Sequence, residues 1–296
     1  MDGIILIDKP EGPASAELVR AVKRIVRPSR VGHLGTLDPF ASGLLPILIG
    51  EATKLATFIQ DGPKVYQGLI ALGAETDTLD RTGVVIRTAS QPSLTAASLA
   101  HVAERFTGVI EQIPPVFSAI KRDGIPLYKL ARSGDHVEPP APRQIEIHHL
   151  SLEANGPSTL RFTVSCSTGT YIRSLARDLG MALGTVAHLS ELRRLRSGNF
   201  ALEQAFPLAE VLAALEQGQA GSMLVGLRDA LAGLPEVAVE GTVERRLRNG
   251  DSRALDFLAP PQAARFKVIA NGHLLAVAEA VTAVTCRVLR GFNHPS

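Results

Sequence analysis

The chain has 296 residues, 45% hydrophobic and 20% charged, with a net charge of +2. That length suits one large domain with a small companion, and the apolar share supports a substantial core, which excludes wholesale disorder. The near-neutral total does not announce a nucleic-acid partner, and two cysteines far apart, Cys166 and Cys286, imply neither a disulfide framework nor a cysteine metal site.

Gly3–Ile7 reads as a short buried strand ending at Asp8-Lys9-Pro10. Ser15 is placed as the N-cap of a helix that groups Leu18, Val19, Val22 and Val26. The stretch from Gly32 to Gly43 is punctuated by glycine and is expected to be a loop. Ala52–Ile59 looks helical, Val65–Leu72 looks like a strand, and Thr76–Asp80 is a polar loop. Thr95–Phe106 is predicted as a helix with Leu99, Val102, Ala103 and Phe106 on one face. Pro114-Pro115 breaks the pattern. Val116–Lys121 is then predicted as a strand and Leu127–Arg132 as a short helix. Glu138–Arg143 cannot be regular helix, because its prolines remove donors and restrict their neighbours.

Two strands are predicted around Ile145–Glu153 and Leu160–Ser167, followed by a helix over Tyr171–Ala182. Cys166 falls on the Phe162/Val164 side of its strand and reads as a small core residue. Pro207–Gln217 is predicted as a helix that enters an acidic, Ala/Gly-rich linker. Beyond about Pro235, short strands and one helix occupy Val237–Val239, Val243–Leu247, Phe266–Ala270, Leu274–Ala280 and Val284–Leu289. The chain therefore divides into a main α+β domain over 1–222, with an insertion around 114–143, and a small β-rich module over 235–292.

Charge is uneven along the chain. Arg161–Arg196 carries six basic residues against Asp178 and Glu191, 201–240 is acidic, and the remainder is basic again. Such alternation fits basic surfaces that track a phosphate backbone, and it also fits ordinary solvated faces. The N-terminus lacks the pattern of a signal peptide, and no uncharged apolar run reaches spanning length, so a cytoplasmic location is expected.

Phosphate loops of the G-x-x-x-x-G-K-[ST] and G-x-G-x-x-G kinds are absent, as is a G-x-S-x-G elbow. His148 and His149 are adjacent in a predicted strand, where they would face opposite ways, a poor metal arrangement. Neither cofactor nor metal is expected. What stands out is Gly32-His-Leu-Gly-Thr-Leu-Asp-Pro-Phe-Ala-Ser-Gly-Leu-Leu-Pro46. Asp38 sits between Leu37 and Pro39, in a loop whose glycines allow unusual backbone paths and whose proline biases Asp38 toward an extended form. That combination would display one carboxylate rigidly against an apolar wall. Local chemistry also allows an Asx turn that only caps the backbone.

The stretch Gly32–Lys54 closely resembles the catalytic motif of bacterial tRNA pseudouridine synthases of the TruB type, which act on the T-loop uridine at tRNA position 55. Further matches follow in the family's order: Gly3–Gly12, Lys64-Val-Tyr66, Gly73–Asp80, Pro114–Lys121 with Tyr128 and Ala131-Arg132, Ser167–Arg173, and Ala187-His188 leading to Leu192–Leu195. One departure is Ala14, where the family usually has a hydroxyl residue. The segment after about residue 235 resembles the family's small PUA-like RNA-binding domain more loosely.

The resemblance implies a mixed, largely antiparallel-sheet catalytic domain followed by that PUA-like module. It implies Asp38 as the catalytic carboxylate, Tyr66 as the active-site tyrosine, Arg173 as the partner of Asp38, and Leu192 as a wall of the pocket. His33 would fill space vacated by flipped bases, and Asp80 would contact an extruded loop base. Lys9 and Lys64 would support the active-site loop, while Lys54, Lys121 and Arg132 would meet phosphates. Tyr128 belongs to the same RNA-binding set. Taken alone, Tyr66 and Leu192 also read as core, and Arg173 and His33 as incidental. The implied partner is the tRNA T-arm stem-loop, bound by a monomer without cofactor, metal, membrane or obligatory protein partner. A tRNA-folding chaperone without catalysis, and an enzyme guided to other RNA by partner proteins, are the competing readings.

Overall fold

Ile4, Ile5, Leu6 and Ile7 form an unbroken apolar run because both faces of their strand are covered. Ile5 and Ile7 join one core, and Ile4 and Leu6 join another on the opposite face. A computed structural model describes residues 1–59, 62–133, 137–256, 261, 263–282 and 284–293; the side chains of Arg132 and Ser252 lie outside this description.

In chain order, β1 (Gly3–Lys9) is followed by α1 (Ser15–Ile25), β2 (Val31–His33) and β3 (Ser42–Ile49). A 3-10 segment, Gly50–Leu55, runs into α2 (Ala56–Ile59), then β4 (Lys64–Leu72), β5 (Ala74–Thr76) and β6 (Val85–Thr88). Next come α3 (Ala96–Arg105), β7 (Gly108–Gln112), the small hairpin β8 (Lys121–Arg122) and β9 (Ile125–Pro126), and α4 (Leu127–Arg132). The long strands β10 (Arg143–Ala154) and β11 (Thr159–Cys166) lead to α5 (Ile172–Ala182) and β12 (Ala187–Ser197). Then follow β13 (Phe200–Ala201), β14 (Phe206–Pro207), α6 (Leu208–Glu216) and β15 (Leu224–Val225). The C-terminal part holds β16 (Glu236–Ala238), α7 (Gly241–Arg248), β17 (Arg265–Ala270), β18 (His273–Ala280) and β19 (Cys286–Gly291).

Among the described residues the main sheet has eleven strands, with the path β14-β1-β3-β12-β4-β11-β10-β7. Its pairings are antiparallel except β1 with β14 and β12 with β3. Helices α1, α3, α5 and α6 contribute to the core on one face. The 3-10 segment and part of the C-terminal sheet, β16-β17-β18-β19, contribute to the core on the other. This is the mixed α+β, largely antiparallel architecture expected, with a C-terminal β-rich part.

Several local expectations are corrected. Ser15 is the first helical residue rather than the N-cap; Ala14 occupies the cap, makes no side-chain hydrogen bond there, and its N–H donates to Glu17 Oε2 at 2.8 Å. The loop after Gly32 is shorter than predicted, because Val31–His33 and Ser42 onward pair as strands. Val116–Ile120 is bent chain and only Lys121–Arg122 of that segment pairs, the two prolines before it denying a continuous ladder. A bulge at His148 leaves both His148 and His149 exposed instead of on opposite faces. The supposed linker after α6 is structured: Leu224–Val225 pairs with β1, and Ala220, Ala230 and Leu231 are buried. Strands β3 and β12 and the β5–β6 hairpin were not predicted.

Candidate active site

The segment Leu34–Ala41 lies between β2 and β3, and its backbone is held from several sides. The Ser15 hydroxyl donates to Leu37 O and accepts from Leu37 N–H, both at 2.9 Å. Gly12 N–H donates to Pro39 O at 2.8 Å. The fully buried Lys9 ammonium donates to Ala41 O at 2.6 Å, Pro10 O at 2.9 Å and Pro39 O at 3.3 Å. Burial pulls the Lys9 pKa down to about 8, although Asp38 and Glu11 act to raise it. Leu37, Phe40 and Ala41 enter the core, while Asp38 between them stays half-buried.

Arg173, near the start of α5, reaches Asp38 side-on: Nε lies 2.9 Å from Oδ2 and Nη2 donates to Oδ1 at 3.4 Å. The arginine side chain is 7% exposed and the aspartate 35%. The rest of the guanidinium is also occupied. Nη1 donates to Thr78 O at 2.9 Å and lies 3.7 Å from Asp80 Oδ2, and Nη2 donates to Phe117 O at 2.9 Å. Arg173 therefore ties together the Asp38 loop, the Thr76–Asp80 turn and the start of the insertion. Asp80 is buried, and its Oδ1 accepts from Thr78 Oγ1, Thr82 N–H and Thr82 Oγ1.

Tyr66 on β4 is buried beside this group and faces Arg194 across the β4–β12 ladder. Burial pushes the Tyr66 pKa up, and the Arg194 guanidinium beside it opposes that shift. A neutral phenol with a flat ring suits a stacking platform better than a ready base. Leu192 is buried on β12 opposite Gly68, in the core that also holds Tyr66 and Leu37. A Cβ at Gly68 would lie 2.1 Å from Glu191 O, so this close approach of strands requires glycine.

His33, half-buried at the end of β2, has an Nδ1 without a hydrogen-bond partner among the described residues; burial and the nearby Arg194 hold its pKa below the ordinary imidazole value. Lys64 donates to Thr168 Oγ1 at 3.0 Å and its stem lies against Gly35 of the loop. Lys54 is placed elsewhere. Its ammonium pairs with Glu51 at 2.6 Å and sits 5.9 Å from the Phe292 ring centroid, against the C-terminal part. Lys121 is exposed on the β8–β9 hairpin, Tyr128 lies half-buried on α4, and the Arg132 side chain lies outside the described residues.

Arg194 was missed as a site residue by sequence reasoning. It is 0% exposed, its Nε donates to Leu44 O at 2.7 Å and its Nη2 to Gly35 O at 3.1 Å. It thereby clamps both ends of the Asp38 loop. The available signal was its position two residues after Leu192, on the same face of a strand. The run Arg161–Arg196 is accordingly not one basic surface: Arg173 and Arg194 are buried, Arg177 pairs with Asp178, and Arg193 pairs with Asp8 at 2.6 Å.

The geometry is a fixed, partly open carboxylate with an aromatic ring and an apolar wall nearby. Residues 23–172 match the TruB family pseudouridylate synthase (N terminal domain), and residues 173–234 match the tRNA pseudouridylate synthase B C-terminal domain. A tRNA pseudouridine synthase B of Geobacter sulfurreducens is 40% identical, spanning 99% of this chain and 100% of that protein. One from Geotalea uraniireducens is 43% identical over 95% and 92% of the two chains. Among solved structures, a chain of a Cbf5-Nop10-Gar1 complex superposes with a TM-score of 0.71 at 26% identity, covering 95% of this chain and 79% of that one. With profile matches across both segments and relatives at this identity along its whole length, the chain belongs to the TruB family of pseudouridylate synthases.

Proposed function

We propose that the chain converts the T-loop uridine at tRNA position 55 into pseudouridine, with Asp38 as the catalytic carboxylate. The observation that carries this reading is the pairing of a partly open Asp38 with a nearly buried Arg173. The tRNA substrate is taken from the names of the full-length relatives.

The reaction breaks the bond from ribose C1′ to uracil N1, turns the base, joins C1′ to C5 and moves the C5 proton to N1. Atoms are conserved, so no redox partner or energy donor enters the balance. A carboxylate fixed from behind by a guanidinium can attack as a nucleophile or stabilise positive charge developing on the sugar. Tyr66 offers a ring against which an everted base stacks, and Leu192 closes the apolar side. Everting the uridine requires a few kcal/mol, which base stacking and pocket contacts offset. His33 stands at the end of the strand entering the loop, where it replaces stacking lost by neighbouring bases. Lys121, Tyr128 and Arg132, on the insertion, belong to an RNA-facing surface.

Release of tritium from C5-labelled uridine in an unmodified tRNA transcript tests the activity. Asp38→Asn should abolish release and keep tRNA binding within about threefold of wild type, since phosphate contacts rather than Asp38 position the RNA. Turnover by that variant at the wild-type rate removes Asp38 from the role. An inactive wild-type protein that still accelerates tRNA refolding supports the chaperone reading instead.

A further inference from the structure

Helix α1 carries its apolar side inward through Leu18 and Val22 and presents a basic side outward. Arg20, Lys23, Arg24 and Arg27, with Glu17 as the one acid, line an open groove of about 520 Å³. Arg30, also exposed, follows on the chain leading into β2. Arg20 is 3.7 Å from Glu17, whereas Lys23, Arg24, Arg27 and Arg30 have no carboxylate partner among the described residues. Nine other arginines are held: Arg81, Arg87, Arg173, Arg177, Arg193, Arg228, Arg246, Arg248 and Arg287 pair with carboxylates. Four unpaired cations within eight positions repel one another, and an anionic partner relieves that repulsion.

The position of this face indicates the partner. α1 belongs to the same side of the main sheet as α5, which carries Arg173. The chain leaving it passes through Arg30 to His33 and then into the Asp38 loop. The basic face thus belongs to the segment that immediately precedes the Asp38 loop in the chain. From Arg20 to Arg24 the helix advances about 6 Å, and Arg27 and Arg30 carry the cations on past its end, enough for about two consecutive phosphates of a nucleic-acid strand.

We infer that the exposed basic face of α1 binds a second stretch of RNA backbone, in an intact tRNA but outside the T-arm stem-loop that enters the cleft. The inference rests on the substrate reading above. Phosphate contacts of this kind position the RNA without reading its bases.

The experiment compares intact tRNA with the isolated T-arm hairpin, using wild type and a Lys23→Gln, Arg24→Gln, Arg27→Gln triple variant. For intact tRNA the triple variant should bind about tenfold more weakly at moderate salt, with the slope of log Kd against log salt reduced by about 2–3. Binding and turnover of the hairpin should stay within twofold. A second variant, Arg27→Gln with Arg30→Gln, changes only residues beyond the helix and should show the same preference at smaller size. Unchanged affinity for intact tRNA overturns the inference, as does an equal loss for hairpin and tRNA, or a wild type that binds both alike. Wild-type turnover of the hairpin reads the substrate proposal separately, so failure of either is recognised as its own.

Discussion

Lys9 and Arg194 are the two largest charged side chains shut away from solvent, and both donate to backbone carbonyls around the Asp38 loop. The Lys9 pKa is about 8 in the folded chain against 10.5 when free, so between those values the unfolded chain holds the extra proton. The penalty of burying the ammonium is therefore full below pH 8, shrinks as pH rises, and is gone above 10.5. Relative to Lys9→Met, wild type should gain up to about 3 kcal/mol of stability from pH 7 to pH 10.5. Urea unfolding of both proteins at the two pH values measures it, and a constant difference contradicts the assignment. Arg194 serves geometry more than charge. Its Nε and Nη2 reach Leu44 O and Gly35 O from separate nitrogens of a planar fork, whereas a lysine there brings a single nitrogen that must leave one of those places. Single-turnover rates of Arg194→Lys should fall roughly tenfold while tRNA affinity holds within threefold, the signature of a displaced loop.

At the level of elements, the site depends on one strand crossing close to another. β12 runs parallel to β3 only at Arg193 and Arg194, opposite Ser42 and Gly43. Gly43 has φ of +100°, and a Cβ there would lie 2.4 Å from Arg194 O and 2.7 Å from Arg194 N. Gly43→Ala should destabilise the protein by about 2–4 kcal/mol and slow turnover, since backbone cannot yield as a side-chain tip can. Thermal unfolding with tritium release checks both effects, and a variant within about 0.5 kcal/mol of wild type refutes the close approach.

This crossing also shows what was legible beforehand. The helices at Thr95–Phe106, Leu127–Arg132 and Tyr171–Ala182 announce themselves by period and boundary residues, and they are found within a residue or so. β12 does not, because bulges at Leu189/Glu191 and Arg194/Arg196 break its alternation and its arginines read as a solvated face. Asp38, Tyr66 and Arg173 come from distant segments, so their juxtaposition was available only through family resemblance. Arg194 falls in a matched motif too, but its place on the Leu192 face was usable only once β12 was recognised as a strand.

At the level of the whole molecule, the main sheet has a core on each face, and the C-terminal part helps build the second. Ile269, Leu274, Val277 and Phe292 pack in one cluster with Ile4, Leu6, Leu44 and Leu48 of β1 and β3. Lys54 and Glu51 extend this contact: Lys54 Nζ donates to Gly291 O at 3.3 Å, and Asn293 N–H donates to Glu51 Oε2 at 2.7 Å. The strands that lead to and from Lys9 and the Asp38 loop thus have their other face covered by residues more than two hundred positions away. An independently folding C-terminal module would leave Ile4, Leu6, Leu44 and Leu48 facing water when removed, so the two parts should unfold together. Phe292→Ala deletes a buried ring at this seam and should lower stability by about 3 kcal/mol, with one cooperative transition retained. Calorimetry in which the C-terminal part melts first, leaving the transition of the remainder unmoved, contradicts a shared core.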